Sequence, residues 1–189
     1  MYSEVSKATD SAVATLTAGA GTKETMKAGG VFHFQCFDKD GNLKWEDSCH
    51  NLVVNEGLQD MNTKYFKGVT YSAAWYLGLI TGPSPSTIAA GDTLASHAWT
   101  EDTAYSGNRM AVTFGSASLA DPSVISNSGS PSQFSMTGTT VIAGAFLCSV
   151  NTGTSGILFS ASDFQAPGDR SVVSGDTLNV TYQFSLDAV

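Results

Sequence analysis

Charged residues are scarce in this sequence, and they are unevenly distributed. They make up 14% of the 189 residues, whereas about 25% is usual for a globular domain. All seven Lys lie in residues 1–67, and residues 68–189 contain two Arg, eight acidic residues and no Lys. Monomeric sheet proteins usually protect their exposed edges with Lys, Pro or bulges. The shortage of Lys therefore predicts sheet edges that neighbours cover, and it favours a protein that works in an assembly.

Several other features are missing. The net charge of -8 comes without the clustered Lys and Arg that binding to a phosphate backbone requires, so we expect no direct nucleic-acid binding. No run of about 20 apolar residues is present, and the N-terminus lacks the basic and apolar regions of a signal peptide. We therefore expect no membrane insertion and no export, and we expect synthesis in a cytoplasm.

Motifs that carry catalytic chemistry are also absent. The sequence contains no Gly-x-Ser-x-Gly elbow and no Gly-rich loop that ends in Gly-Lys-Ser/Thr. Neighbouring carboxylates, such as Glu46 and Asp47, lie on polar segments, where a solvated surface is the simpler interpretation. The sequence predicts a protein that is not an enzyme and that has no cofactor.

Three cysteines, Cys36, Cys49 and Cys148, cannot all pair, and the sequence predicts buried, reduced thiols. A zinc site can be drawn from Cys36, Cys49, His33 and His50, but it lacks the close ligand pairs that make such a signal specific. A calcium loop at 38–42 fails for a similar reason, because its Gly stands fourth rather than sixth. We therefore predict a turn at 38–42 and no metal.

The strongest pattern present is strict alternation near the C-terminus. Between residues 178 and 186, large apolar side chains alternate with hydroxyls and amides, which predicts a strand with one buried face. Other predicted strands are separated by Gly, Pro, Ser and Asn, which is typical of an all-β protein. They cover residues 32–36, 43–46, 73–80, 109–114, 140–150, 157–159 and 171–173, and the apolar run at 140–150 predicts a central strand.

One helix interrupts this pattern. Leu58, Met61, Tyr65 and Phe66 have helical spacing, Asn55 is a plausible N-cap, and Gly68 ends the segment. Residues 1–30 contain few large apolar residues and predict a flexible arm, with a weak helix at 11–17 and a hinge at 29–30. The predicted fold is an antiparallel β-sandwich at 31–189, jelly-roll-like or immunoglobulin-like, with one short helix and this arm.

Two long polar connections, 81–106 and 115–135, exceed ordinary hairpin loops and are expected to make contacts. Trp99 and Tyr105 lie in the first connection and are candidates for an exposed interface, whereas Trp75 is expected in the core. Arg109 and Arg170 are equally suited to pairing with an acid of this chain or to anchoring an interface. The repeated Gly-Asp-Thr-Leu at 91–94 and 175–178 predicts two similar turns.

Several of these segments together resemble a known family. They are Trp45 with residues 51–58, then residues 75–79, 145–147 and 158–160 with Phe164, and finally residues 170–182. This set, spread over roughly residues 31–186, is similar to small proteins of tailed bacteriophages that are thought to decorate the head. The shared motifs are structural, so no catalytic residue is carried over.

The resemblance implies a decoration, or cement, protein that binds the outside of a capsid and clamps neighbouring subunits. Its implied partners are the major capsid protein and further copies of itself, as a dimer or trimer. Synthesis in the host bacterial cytoplasm and location on the virion would follow. A phage tail or fibre component, with a receptor- or carbohydrate-binding surface that uses Trp99 and Tyr105, is the alternative.

Overall fold

The computed structural model describes residues 26–71, 73–83, 88–164 and 168–188. The predicted helix at 11–17 and most of the predicted arm lie outside these residues. Within them the chain forms twelve strands and one helix. The elements are β1 Met26–Phe37, β2 Leu43–His50, β3 Leu52–Val53, α1 Asn55–Lys67, β4 Tyr76–Thr81, β5 Glu101–Asp102, β6 Met110–Ala111, β7 Ser123–Ser126, β8 Ser132–Ser135, β9 Thr140–Cys148, β10 Leu158–Asp163, β11 Arg170–Val172 and β12 Thr177–Ala188.

The strands form two antiparallel sheets, as the sequence predicted. Sheet A has the order β2-β1-β12-β7, and β8 also pairs with β12. Sheet B has the order β3-β10-β9-β4-β5, with β11 added beside β9 and β6 beside β4. Apolar side chains from both sheets form one buried cluster, so the fold is a β-sandwich.

The C-terminal strand is the centre of sheet A. β12 pairs with β1 along its whole length and with β8 and β7 on its other side. Leu178, Val180 and Tyr182 are buried, and their neighbours Asn179 and Thr181 are partly exposed, which confirms the predicted alternation. The predicted strand is present as β12, and it is an inner strand of sheet A because both of its edges are paired.

Other parts of this chain contact the strands at both edges of sheet A. Residues 115–118 donate two backbone hydrogen bonds to β7. On the opposite edge, Trp45 Nε1 of β2 donates to the carbonyl oxygen of Ser171 at 3.1 Å, and Arg170 forms an ion pair with Asp47. The backbone at residues 115–118 therefore occupies part of the edge at β7, whereas β2 pairs with β1 alone and its contacts with residues 170–171 are made by side chains.

The predicted turn at 38–42 joins β1 and β2. The Asp38 N–H donates to the Asn42 carbonyl at 2.9 Å, and Gly41 has φ +84°, a conformation that favours glycine. The Asp38 carboxylate accepts the N–H groups of Asp40 and Asn42, each at 2.9 Å. Hydrogen bonds from Asn42, first of all its backbone N–H, lower the Asp38 pKa. The carboxylate thus closes the turn.

The predicted central strand is confirmed. β9 lies between β4 and β10, and its residues from Ile142 to Cys148 are buried. Ile142 and Leu147 belong to the cluster between the sheets, whereas Ala143 and Phe146 belong to a second cluster on the far side of sheet B. A Cβ on Gly78 of β4 would overlap the Phe146 ring, so only glycine leaves room for this packing.

Helix α1 confirms the predicted element and corrects two of its details. It ends at Gly68, which has φ +63°, as predicted. Asn55 is the first helical residue rather than the N-cap, because Val54 occupies that position without a side-chain cap. The helix buries Gly57 and Asp60 instead of the predicted apolar face; of that face, Met61 packs against the core.

Other boundaries also differ from the predictions. β1 begins at Met26, so residues 29–30 lie inside a strand and not at a hinge, and the ordered domain extends before residue 31. The expected loop at 115–135 contains β7 and β8. The expected strand at 109–114 is reduced to Met110–Ala111, although Val112 and Phe114 still pack against the core.

Candidate interaction surfaces

One broad surface of the sandwich is polar and carries little charge. It is the outer face of sheet A, formed by the side chains that point away from the core. The register of β1, β2, β12, β7 and β8 aligns them in cross-strand rows. We define this outer face as Val31, His33, Gln35, Glu46, Ser48, His50, Ser126, Gln133, Asn179, Thr181 and Gln183. Within this set Glu46 is the one carboxylate, and there is no Lys or Arg. Toward the ends of β1 and β12 the same side of the sheet continues with Lys27 opposite Asp187.

Hydrogen bonds order the rows of the outer face. His33 Nδ1 lies 2.8 Å from Ser48 Oγ, and Gln133 Nε2 donates to Asn179 Oδ1 at 3.2 Å. A shallow depression of about 260 Å³ lies between β2, β1 and β12 and is lined by His33, Glu46 and Thr181, among others. The face can therefore present hydroxyl and amide groups in a fixed arrangement.

A second surface is apolar and lies on α1. Tyr65 and Phe66 are 83% and 78% exposed, and Leu58 is also exposed. The rings of Tyr65 and Phe66 meet edge to face at 5.0 Å. Asn55, Gln59 and Asn62 are exposed on the same side of the helix. We call the set of six residues the α1 stripe: Asn55, Leu58, Gln59, Asn62, Tyr65 and Phe66. Exposed apolar patches of this kind mark interaction sites.

The α1 stripe faces outward because polar residues occupy the inner side of the helix. A Cβ on Gly57 would overlap the Phe159 backbone, so glycine allows the helix to lie close to β10. Lys64 forms an ion pair with buried Asp60 at 2.8 Å and lies over the ring of Tyr71 at 4.2 Å. Sequence spacing identified the apolar face but could not show that this polar side would be buried.

The prediction that Trp99 lies on an exposed surface is wrong. Trp99 is 4% exposed and belongs to the cluster on the far side of sheet B. Its ring stacks on His97 at 3.5 Å and contacts Phe146 at 4.7 Å. The described part of this connection that includes Leu94 and Trp99 therefore covers sheet B with these two side chains, since β9 is apolar on both faces.

Tyr105 is also interior, which corrects its predicted exposure. It is 6% exposed, forms an isolated β-bridge with Met136, and packs edge to face on Phe134 at 4.8 Å. Burial raises the pKa of its hydroxyl. Tyr105 helps to link the two sheets and is not available to a partner.

Both arginines pair within the chain. Arg109 donates from Nε and Nη2 to the two Glu101 carboxylate oxygens at 2.8 and 2.7 Å, and from Nη1 to the Gly153 carbonyl at 2.9 Å. Arg170 pairs with Asp47 and lies over the Phe164 ring at 5.5 Å. Of the two roles left open by the sequence, the structure therefore places each arginine in an intramolecular pair.

The cysteines are free and buried, as predicted. Burial, with a smaller contribution from Asp176, raises the pKa of Cys36 to about 11, and burial raises that of Cys49 to about 12. Cys36 and Cys49 point into the core, while His33 and His50 belong to the outer face of sheet A. Among the described residues, no three His, Cys, Asp or Glu side chains are arranged to hold a metal.

The repeated Gly-Asp-Thr-Leu forms two matching turns. The Asp92 carboxylate accepts the Ala89 N–H at 3.0 Å, and the Asp176 carboxylate accepts the Val173 N–H at 2.9 Å. The backbone N–H of Asp92 donates to the Ala89 carbonyl, and the backbone N–H of Asp176 donates to the Val173 carbonyl. The repeat is thus a local turn motif, as predicted.

Comparison with protein-family models, with curated proteins and with solved structures found no match to this chain. Within the described residues, no helix has the length and apolar character needed to cross a bilayer. Function is therefore inferred from two surfaces that the described residues expose, the outer face of sheet A and the α1 stripe.

Proposed function

We propose that this protein is a structural virion protein that binds the outside of a bacteriophage capsid and stabilises it by clamping neighbouring capsid subunits. Its partner would be the major capsid protein, and it would act as a homo-oligomer on the virion after synthesis in the host bacterial cytoplasm. The observation that carries the proposal is the outer face of sheet A as defined above, which is ordered, exposed or half-exposed along its length, and carries a single carboxylate and no cation.

Physical chemistry supports a protein partner for such a face. The centres of protein interfaces are depleted in charged residues, because burying an unpaired charge is costly. Hydroxyl and amide groups can exchange water for hydrogen bonds with a partner, and here the β-strand register fixes their positions. Glu46 lies 3.4 Å from Gln35 Nε2, so even the one carboxylate of the face has a neighbouring donor.

The test uses capsids of the phage that encodes this chain. Heads that lack the protein should lose infectivity faster than complete heads when heated, and purified protein added back should restore their heat resistance. A label on the protein should be seen on the head. Heads without the protein that withstand heat as well as complete heads would refute the proposal.

A pair of variants tests the role of the outer face. Thr181→Lys places a charge in the centre of this face, and it should abolish binding to heads without changing the circular dichroism spectrum. Ser155→Lys places the same charge on an exposed loop between β9 and β10, and it should bind like the wild type. Equal binding by both variants would show that another surface contacts the capsid.

The alternative is a tail or fibre component with a carbohydrate-binding surface. The depression on the outer face favours it, because hydroxyl and amide groups around a hollow of about 260 Å³ suit a sugar. Trp99 is buried and cannot take part, so the informative variant is Asn179→Ala. Glycan-array binding that Asn179→Ala abolishes, with the protein located on the tail, would favour this alternative.

A further inference from the structure

The depression on the outer face of sheet A is bounded by two cross-strand rows of polar side chains. Each row takes one residue from β12, one from β1 and one from β2. The rows are Asn179, Gln35 and Glu46, and Thr181, His33 and Ser48. Amide and hydroxyl oxygens therefore surround a volume of about 260 Å³, and the six side chains include one carboxylate and no Lys or Arg.

The two carboxylates that line the depression differ in their partners. Asp47 is paired with Arg170, which reaches β2 from β11. Glu46 is exposed and accepts the Gln35 side-chain amide at 3.4 Å. Within the described residues, no Lys, Arg or His nitrogen lies within 4.0 Å of the Glu46 carboxylate. A neutral amide does not cancel a charge, so this part of the chain supplies no compensating cation for Glu46.

The Lys residues on the neighbouring strand positions have acidic partners of their own. Lys44, two positions before Glu46 on β2, pairs with the buried Asp176. Lys27 lies at the start of β1, outside the depression and opposite Asp187. A carboxylate that is left unpaired when an interface forms is costly, because it loses its hydration. A partner that covers the depression is therefore expected to bring the cation itself.

We propose that the depression receives an arginine side chain of the partner protein, and that its guanidinium pairs with Glu46. A guanidinium has five N–H donors in a planar fork, so it can bind the carboxylate and also donate to hydroxyl oxygens of the neighbouring row. The lysine ammonium is a compact point charge and matches this spread of acceptors less well. The inference rests on the proposed function, because it states which chemistry the capsid brings to the outer face.

Glu46→Gln tests the pairing on heads. It preserves the shape of the side chain and removes its charge, so the affinity for heads should fall about 10- to 100-fold. Asp40→Asn is the matched control, because it removes one negative charge from the β1–β2 turn, where Asp40 is 65% exposed, and it should bind like the wild type. Wild-type affinity of Glu46→Gln would overturn the inference and leave the proposed function intact. Heads that bind none of the three proteins would instead refute the proposed function.

A small probe tests the depression without the capsid. Nα-acetyl-arginine methylamide, titrated to about 100 mM as suits a single exposed pair, should shift the side-chain amide NMR signals of Gln35 and Asn179. The shifts should be absent in Glu46→Gln and smaller with Nα-acetyl-lysine methylamide. Equal shifts from the lysine probe, shifts that persist in Glu46→Gln, or no shift in the wild type would overturn the inference. Shifts caused by N-acetylglucosamine instead of the arginine probe would overturn it in favour of the carbohydrate-binding alternative.

Discussion

Substitution of Arg109 by Met should destabilise the fold rather than remove a binding contact. The Arg109 side chain is 5% exposed and forms a bidentate pair with Glu101. It also donates to the Val150 and Gly153 carbonyls at 3.2 and 2.9 Å. One guanidinium therefore joins the strand β5 to the loop that follows β9. Met preserves much of the aliphatic volume and removes all of these hydrogen bonds.

The expected loss follows from what remains after the substitution. Removing one partner of a buried ion pair costs about 3–5 kcal/mol, because the other charge stays buried without compensation. The Glu101 side chain keeps 25% exposure and can be partly hydrated, so a loss of about 2–4 kcal/mol is expected after discounting for solvent. In a domain of this size that corresponds to a fall in Tm of about 5–15 °C.

Urea denaturation followed by circular dichroism measures this loss. Lys39→Met is the control, because Lys39 is 76% exposed in a surface pair with Asp40, and it should unfold with the wild type. Arg109→Met combined with Glu101→Gln should recover part of the stability, since no carboxylate is then left unpaired.

If Arg109→Met unfolded within about 0.5 kcal/mol of the wild type and yet abolished binding to heads, Arg109 would be an interface anchor. The intramolecular role assigned by the structure would then be wrong.

Three further predictions concern the core. Tyr182→Phe should cost about 1–2 kcal/mol in urea denaturation, because the Asn51 side-chain amide, which donates to the Tyr182 hydroxyl at 2.9 Å, loses its partner; an unchanged midpoint would contradict this. Gly78→Ala should cost about 1–3 kcal/mol, since the added methyl overlaps the buried Phe146 ring; wild-type stability would show that the ring can move aside. Burial raises the Cys49 pKa from 9.0 to about 12, so its contribution is complete below pH 9 and falls as the pH rises toward 12. Cys49→Ala should therefore lose less stability between pH 9 and 11 than the wild type, and an equal loss would show that another group is responsible.

Local patterns in the sequence predicted those elements that depend on neighbouring residues. Alternation over 178–186 predicted β12 and its buried face, and the turn formers at 38–42 predicted the hairpin closed by Gly41. Helical spacing ended by Gly68 predicted α1. Each signal depends on side-chain period or on a backbone conformation within a few residues, so it can be recognised without knowledge of the fold.

The exposed surfaces could not be predicted in the same way. Trp99 was expected on the surface because its segment is polar, but β9 is apolar on both faces and requires a cover, which Trp99 supplies through Phe146. Phe66 was expected on the packed face of a helix, but Gly57 and Asp60 form the buried side. Burial depends on which segment packs against which, and local spacing does not contain that information.

The sequence by itself determined the all-β class, the helix, the main turns and the alternation that gives each strand a buried face. Only the tertiary structure decided that β12 lies inside its sheet, that Arg170 pairs with Asp47 across 123 positions, and that the outer face of sheet A and the α1 stripe remain exposed. The physical reason is the distance along the chain over which each kind of interaction acts. Strand period and turn chemistry arise between adjacent residues, whereas edge pairing, ion pairs and surface exposure arise between segments that folding brings together.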